Sequence, residues 1–178
     1  MTDILNDFLS VDKLENQKTE IKITEFDYSA FVKEIVEDMQ NMSQEGQLID
    51  WKITAENTVM NCDVNILRNI LYNLLTNAIK YSSEGQRIIY HSWLTSDSIR
   101  IIVQDFGIGI PSHEQKLLFT RFFRAKNATN IKGTGLGLNI VRSYLKMLGG
   151  TIKFSSEEGK GTTFEIEIPI NQTQDKDE

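Results

Sequence analysis

The sequence predicts an α+β domain: a two-layer α/β sandwich whose mixed, mostly antiparallel sheet is covered on one face by three helices. Three observations predict it. Apolar residues recur at helical spacing in three separate stretches, 27–44, 64–81 and 136–148. Alternating stretches come in pairs joined by short polar turns, 87–95 with 99–104 and 151–156 with 162–168, as antiparallel hairpins require. The 178 residues suffice for one sound core, with little left for a second. The helices must therefore share one side of one sheet.

Taken in order, residues 3–18 place Ile4, Leu5, Phe8, Leu9, Val11 and Leu14 at helical spacing. One helix at a chain end leaves such a stripe unburied, so it packs either on another chain or back on the main domain. Residues 20–26 alternate and read as a strand. The helix at 27–44 carries Phe31, Ile35, Val36 and Met39 on one face, with Asp27 or Ser29 as its cap. Residues 48–54 read as a strand. Asp63 is placed to cap the helix at 64–81. The first hairpin turns on Ser96, Asp97 and Ser98. Residues 113–124 predict a short helix, and 125–132 are polar and irregular. The helix at 136–148 stops at Gly149 and Gly150, a C-terminal glycine signal. The last two strands flank a turn over 157–161, and 171–178 form a polar tail expected to be disordered. The chain thus divides into a helix and linker over 1–19, one domain over 20–170, and the tail.

Composition removes several classes of function. Hydrophobic residues make up 40% and charged residues 25%, as in an ordinary globular domain. The net charge of −6 argues against nucleic acid as a main partner, because phosphate-backbone binding needs a basic face. It leaves room for a nucleotide, which needs only a local positive pocket. A single cysteine, Cys62, excludes an internal disulfide framework and suits a reducing compartment. No apolar run approaches the ~18–20 residues of a membrane span, and no signal peptide is visible. The chain is expected to be soluble and cytoplasmic; a membrane-bound parent protein is compatible with this.

Four stretches carry chemistry: 73–82 (NLLTNAIKYS), 105–111 (DFGIGIP), 119–125 (FTRFFRA) and 133–141 (GTGLGLNIV). In the helix at 64–81, Leu67, Ile70, Leu71, Leu74, Leu75, Ala78 and Ile79 form the apolar stripe. Asn73, Asn77, Lys80 and Tyr81 line another side. A neutral Asn oxygen can complete an octahedral Mg²⁺ shell that phosphate oxygens and waters fill, and a Lys can balance phosphate charge. Taken alone, such a ridge reads equally as a solvated helix face. Asp105 ends a strand and is a single acceptor suited to the exocyclic amine of adenine. Gly107 and Gly109 let the backbone approach a flat ring, or simply make a turn. The run Gly133, Thr134, Gly135, Leu136, Gly137, Leu138 opens a helix, where free N–H groups and the helix dipole accept phosphate. Its spacing is neither the dinucleotide fingerprint nor a P-loop. Arg124 can reach a terminal phosphate as a charged fork. Phe119, Phe122 and Phe123 can anchor the base of a mobile lid or pack in the core.

In this order the four stretches resemble the N box, first glycine box, F box and second glycine box of the sensor histidine kinases. These share the Bergerat ATP-binding fold with gyrase, a heat-shock chaperone and a mismatch-repair protein. The resemblance runs over about residues 22–169. It implies ATP and Mg²⁺ as ligands. It implies Asn77 as the metal ligand and Asn73 as a second polar contact, where ATP-hydrolysing relatives place a Glu. Lys80 and Tyr81 become phosphate and nucleotide contacts, and Asp105 the adenine acceptor beside Gly107 and Gly109. Arg124 becomes a phosphate contact at the lid base, and 133–138 the phosphate loop. Thr162 supports Asp105 through water. Phe106 departs from the pattern, since many members have Asn there. Asn73 counts against a hydrolytic ATPase or a serine-directed kinase of the same fold. The intact Asn77, Asp105 and loop glycines count against a non-catalytic interaction module.

The family phosphorylates its own histidine, within Ser-His-Glu followed by a Thr-Pro pair. Ser112-His113-Glu114 echoes that start, but Gln115-Lys116-Leu117 breaks it, and His91 sits in a strand. The resemblance therefore implies a catalytic part without its acceptor, which residues 3–18 would join as the end of a dimerisation helix. Its implied partners are a histidine-bearing dimerisation domain, with the whole protein a homodimer, and a response regulator receiver domain.

Overall fold

The computed structural model describes residues 20–170; the helix expected at 3–18 and the tail at 171–178 lie outside the described residues. Short polar signals set the helix starts. Asp27 Oδ1 accepts from Ser29 N at 2.8 Å and opens α1 (Tyr28–Met42). Asp63 Oδ1 accepts from Asn65 N and Ile66 N, both at 3.0 Å, and opens α2 (Val64–Tyr81). The other Asp63 oxygen accepts from Lys22 N at 2.7 Å, so the same carboxylate ties down the chain before β1 (Thr24–Asp27). The third helix, α3 (Gly137–Met147), begins without a side-chain cap and ends before Gly149, whose φ of 67° is the expected glycine stop.

Five strands form the main sheet: β2 (Leu48–Ala55), β4 (Arg87–Leu94), β5 (Ser98–Gln104), β6 (Thr151–Glu157) and β7 (Gly161–Pro169). Their order is β2-β4-β5-β7-β6. The sheet is mixed: β2 runs parallel to β4, and the other neighbours are antiparallel. The strand expected at 20–26 pairs instead with β3 (Val59–Cys62), in a separate two-stranded ribbon. That third strand is only four residues long and gives no periodic signal of its own.

Strict alternation puts Ile88, Tyr90 and Leu94, then Ile99, Ile101 and Val103, then Phe164, Ile166 and Ile168 on one buried face. The apolar stripes of all three helices pack on that face, with Leu67, Ile70, Leu71, Leu74 and Leu75 of α2 at the centre. Full burial of such side chains stabilises by about 1.5–3 kcal/mol each, which is why α2 is fixed firmly enough to carry a site. Its far end is held by amides. Gln47 Nε2 donates to the carbonyls of Ile79, Ser82 and Ser83 at 3.1–3.2 Å, and Gln44 Nε2 donates to Ile79 O at 2.9 Å. These bonds satisfy carbonyls that a helix end leaves open, on either side of Tyr81.

The helix expected at 113–124 does not form. Bonds from Leu117 N to Glu114 O, Leu118 N to Gln115 O, Thr120 N to Leu117 O and Phe123 N to Thr120 O all span three residues. They build a chain of tight turns with one 3₁₀ turn at Gln115–Leu117. A left-handed residue, Phe122 (φ 61°), then breaks it.

Asp63→Ala removes a helix cap and the tie to Lys22 together. Urea unfolding should show a loss of about 1–2 kcal/mol; an unchanged midpoint would contradict the dual role given to this carboxylate.

Candidate functional site

The site is built where the end of β5, the end of α2 and the β6–β7 turn meet. Asp105 follows β5 and is 6% exposed. Its Oδ1 accepts from Gly107 N at 2.9 Å and from Thr162 N at 3.3 Å. Its backbone continues the ladder to β7, with Asp105 N to Thr162 O at 2.9 Å. Burial pushes the carboxyl up to about 6, against the two backbone bonds that favour the charged form.

Gly107 and Gly109 each admit a neighbouring segment of backbone. A Cβ on Gly107 would lie 1.9 Å from Tyr81 O, and one on Gly109 would lie 2.0 Å from Glu157 O. The glycines admit neighbouring backbone, and two bonds use that approach: Ile108 N to Tyr81 O at 3.0 Å, and Gly159 N to Ile108 O at 2.8 Å. Gly161, which the sequence presents only as a turn residue, does the same. Its Cβ would lie 2.1 Å from Asp105 O, and its φ is 109°.

The second glycine loop lies along the α2 ridge. A Cβ on Gly137 would lie 2.6 Å from Asn73 Oδ1, and one on Gly133 would lie 3.9 Å from the Tyr81 hydroxyl. Asn77 stands between Asn73 and Tyr81 on that ridge by helical spacing. Asn73 Nδ2 donates to Asn69 O at 2.8 Å, whereas the half-buried Asn77 amide makes no hydrogen bond among the described residues. Lys80 is exposed and has no ion pair among the described residues. In the loop, Gly135 (φ 73°) packs against the backbone of Phe122 and Phe123. Thr134 Oγ1 accepts from Leu136 N at 3.2 Å. Leu136 is buried and Leu138 packs against the core, so these two anchor the loop.

Arg124 lies beside Tyr81, whose hydroxyl is pushed up by burial and drawn partly back by the guanidinium. In this conformation Arg124 serves its own loop. Nη2 donates to Ala128 O at 2.8 Å, to Thr129 O at 3.2 Å and to Ile131 O. Further ties missed in the sequence hold the segment. Asn127 Nδ2 donates to Gly109 O at 3.0 Å, Glu114 accepts from Lys126 N at 2.9 Å, and Asn139 Nδ2 donates to Phe119 O at 3.1 Å. Single amides and carboxylates of this kind carry no periodic signal. Of the three phenylalanines, Phe119 packs on Phe154 with ring centres 5.8 Å apart, while Phe122 is 67% exposed and anchors nothing.

The two histidines stand apart from this cluster. His91 stacks on Trp93 at 3.7 Å, alternating along β4 with the residues buried beneath the helices. His113 is exposed, 3.7 Å from Glu114.

A sandwich with helices on one face, an acidic residue at a strand end, and a glycine loop opening a helix opposite an asparagine ridge defines a class of nucleotide-binding domain. Comparison with known proteins makes the class specific. The chain belongs to the family of histidine kinase-, DNA gyrase B- and HSP90-like ATPases, matched over residues 62–172. It is homologous to the catalytic domains of sensor histidine kinases. The aerobic respiration control sensor protein ArcB of Escherichia coli K12 is 33% identical over 174 residues, 93% of this chain and 22% of ArcB. The sensor protein kinase WalK of Staphylococcus saprophyticus is 30% identical over 99% of this chain and 30% of its own length. The chain therefore spans less than a third of either relative. Among solved structures, full-length ShkA in complex with AMPPNP superposes with a TM-score of 0.82 at 25% identity, covering 96% of this chain and 36% of ShkA.

Because the Asp105 carboxyl is raised, it binds its proton more readily folded than unfolded. Its contribution to stability is fully present below about pH 4 and is lost as pH rises through about 6. Asp105→Asn should thus unfold at higher urea than wild type at pH 8, by about 1–3 kcal/mol, with the gain fading toward pH 4. A pH-independent difference would contradict the burial assigned to this group.

Proposed function

We propose that this domain binds Mg-ATP and donates its γ-phosphoryl group to a histidine on a dimerisation domain outside the described residues. One observation carries the reading: a buried carboxylate at a strand end and an uncapped helix start with its glycine loop are set at the two ends of one polar ridge. Asp105 accepts the adenine amine. The N–H groups at the start of α3 and the loop 133–137 receive the phosphates. Thr162 supports Asp105 from the next strand, and Lys80 and Tyr81 supply phosphate and nucleotide contacts.

Among the described residues no group of three or more His, Cys, Asp or Glu could hold a metal ion. The residues present fit Mg²⁺ in another way. Asn77 offers one unbonded, half-buried amide oxygen, and phosphate oxygens and water suit the remaining positions. The metal would neutralise charge on the phosphates. This chain's residues supply position: Asn73 and Asn77 set the depth of the phosphates, and Arg124, once turned from its carbonyls, meets the terminal one.

The transfer breaks the bond from the γ-phosphorus to the β–γ bridging oxygen and forms one to an imidazole nitrogen, whose proton passes to a base. In the family that base sits beside the acceptor, so this part of the chain contributes positioning and charge neutralisation. His113, exposed on the lid segment, is not the acceptor. A response regulator receiver domain would take the phosphoryl group onward, within a homodimeric protein. That fits the relatives, which are sensor kinases.

Isothermal titration with ADP and Mg²⁺ tests the site. Asp105→Ala should weaken binding at least about tenfold with or without Mg²⁺, since it removes a hydrogen bond to a charged group. Asn77→Ala should weaken it only when Mg²⁺ is present. Unchanged affinity in both variants would overturn the assignment.

A further inference from the structure

The helix-facing side of the sheet carries a hydroxyl pair that the base pocket does not explain. Ser156 ends the inward row of β6, directly across from Thr162 on β7. Its Oγ has three partners: Ile110 N at 2.9 Å, Gly161 O at 3.0 Å and Thr162 Oγ1 at 2.9 Å. A serine hydroxyl offers one proton and two lone pairs. Ile110 N–H can only donate, and Gly161 O can only accept. The single Ser156 proton therefore goes to Gly161 O. Ile110 N–H fills one lone pair, and the remaining one must receive the proton of Thr162. The count closes with no group left over. It also fixes the Thr162 hydroxyl, whose proton is committed to Ser156 and which is left with lone pairs only for any other neighbour.

We infer that Ser156 is a positioning residue for base selection: by holding the Thr162 proton, it leaves the pocket floor with acceptors only. This deepens the reading of the site as an adenine pocket and rests on it. The Asp105 carboxylate and the Thr162 lone pairs together call for donors. A 6-amino purine, with a water donating between the two oxygens, supplies them. A 6-oxo purine presents an acceptor at the same place and is rejected. Were the Thr162 hydroxyl free to turn, it could donate to that oxygen and relieve part of the mismatch. Discrimination thus depends on Ser156, which need not touch the base.

The test is the ratio of ADP to IDP affinity, measured by titration calorimetry with Mg²⁺. Ser156→Ala should lower the preference for ADP by about three- to tenfold, the range of one neutral hydrogen bond. Ser156→Thr, which keeps the hydroxyl, should restore it. In a Thr162→Val background the same serine substitution should leave the ratio unchanged, because the group it acts through is gone. If Ser156→Ala fails to fold, Ser156→Cys keeps the shape with weaker bonds and should shift the ratio in the same direction. Equal weakening of both nucleotides would mark a merely structural serine and overturn the inference. Wild type that binds ADP with a ratio insensitive to Ser156 also overturns it, while leaving the adenine pocket standing. Wild type that binds neither nucleotide overturns both.

Discussion

The site depends on backbone meeting backbone without side chains between. Three segments converge on Asp105: the exit of β5, the end of α2 and the turn joining β6 to β7. Each contact is closed by a glycine whose Cβ would fall 1.9–2.1 Å from a carbonyl oxygen of the neighbouring segment, at Gly107, Gly109 and Gly161. No L side chain fits at such a distance. The bonds from Ile108 to Tyr81 and from Gly159 to Ile108 exist only because these approaches are open. They lock a core helix, a strand end and a turn into one unit, so a carboxylate can be held buried with two of its bonds drawn from rigid backbone. Asp105 is costly to bury, and its raised pKa measures that cost. The convergence makes the burial tolerable.

The lid between the two glycine runs obeys a different logic. It has no stripe to bury; beside the packing of Leu118 and Phe119 against the core, what holds it are single polar ties: Glu114 to Lys126, Asn127 to Gly109, Asn139 to Phe119, and Arg124 to its own carbonyls. Each neutral tie is worth on the order of 1 kcal/mol. Phe122, held left-handed with its ring in solvent, costs about 1–3 kcal/mol. A segment with small gains and a stored cost is suited to rearrangement. Arg124, sharing one nitrogen among three carbonyls, is the residue such a rearrangement would redirect.

Much of this was legible in the sequence because it is local. Asp27 and Asp63 announce their helices, the α2 stripe falls on the core as spaced, and both hairpins appear where alternation and polar turns place them. The four motif stretches do come into contact, pair by pair, at Tyr81, Asn73 and Phe122. What was not legible depends on distant partners. β3 exists only because β1 pairs with it across more than thirty residues of sequence. The predicted helix at 113–124 has the composition of one, but its backbone is tied to Pro111, Asn139 and Gly135 outside it, and it forms a run of tight turns. The sequence marks the glycines, but the backbone that Gly107, Gly109 and Gly161 each admit lies on a distant segment. Gly161 and Ser156 read as an ordinary turn and an ordinary strand end until β5 and β7 are seen side by side.

The central claim is that the buried Asp105 carboxylate is the acceptor for the base. The direct measurement is a carbon-detected NMR titration of that carboxyl, in the free protein and with ADP and Mg²⁺. The free protein should titrate near 6, and ADP should drive the value well below that by donating to the charged form. A carboxyl whose titration is the same with saturating ADP bound would contradict the claim.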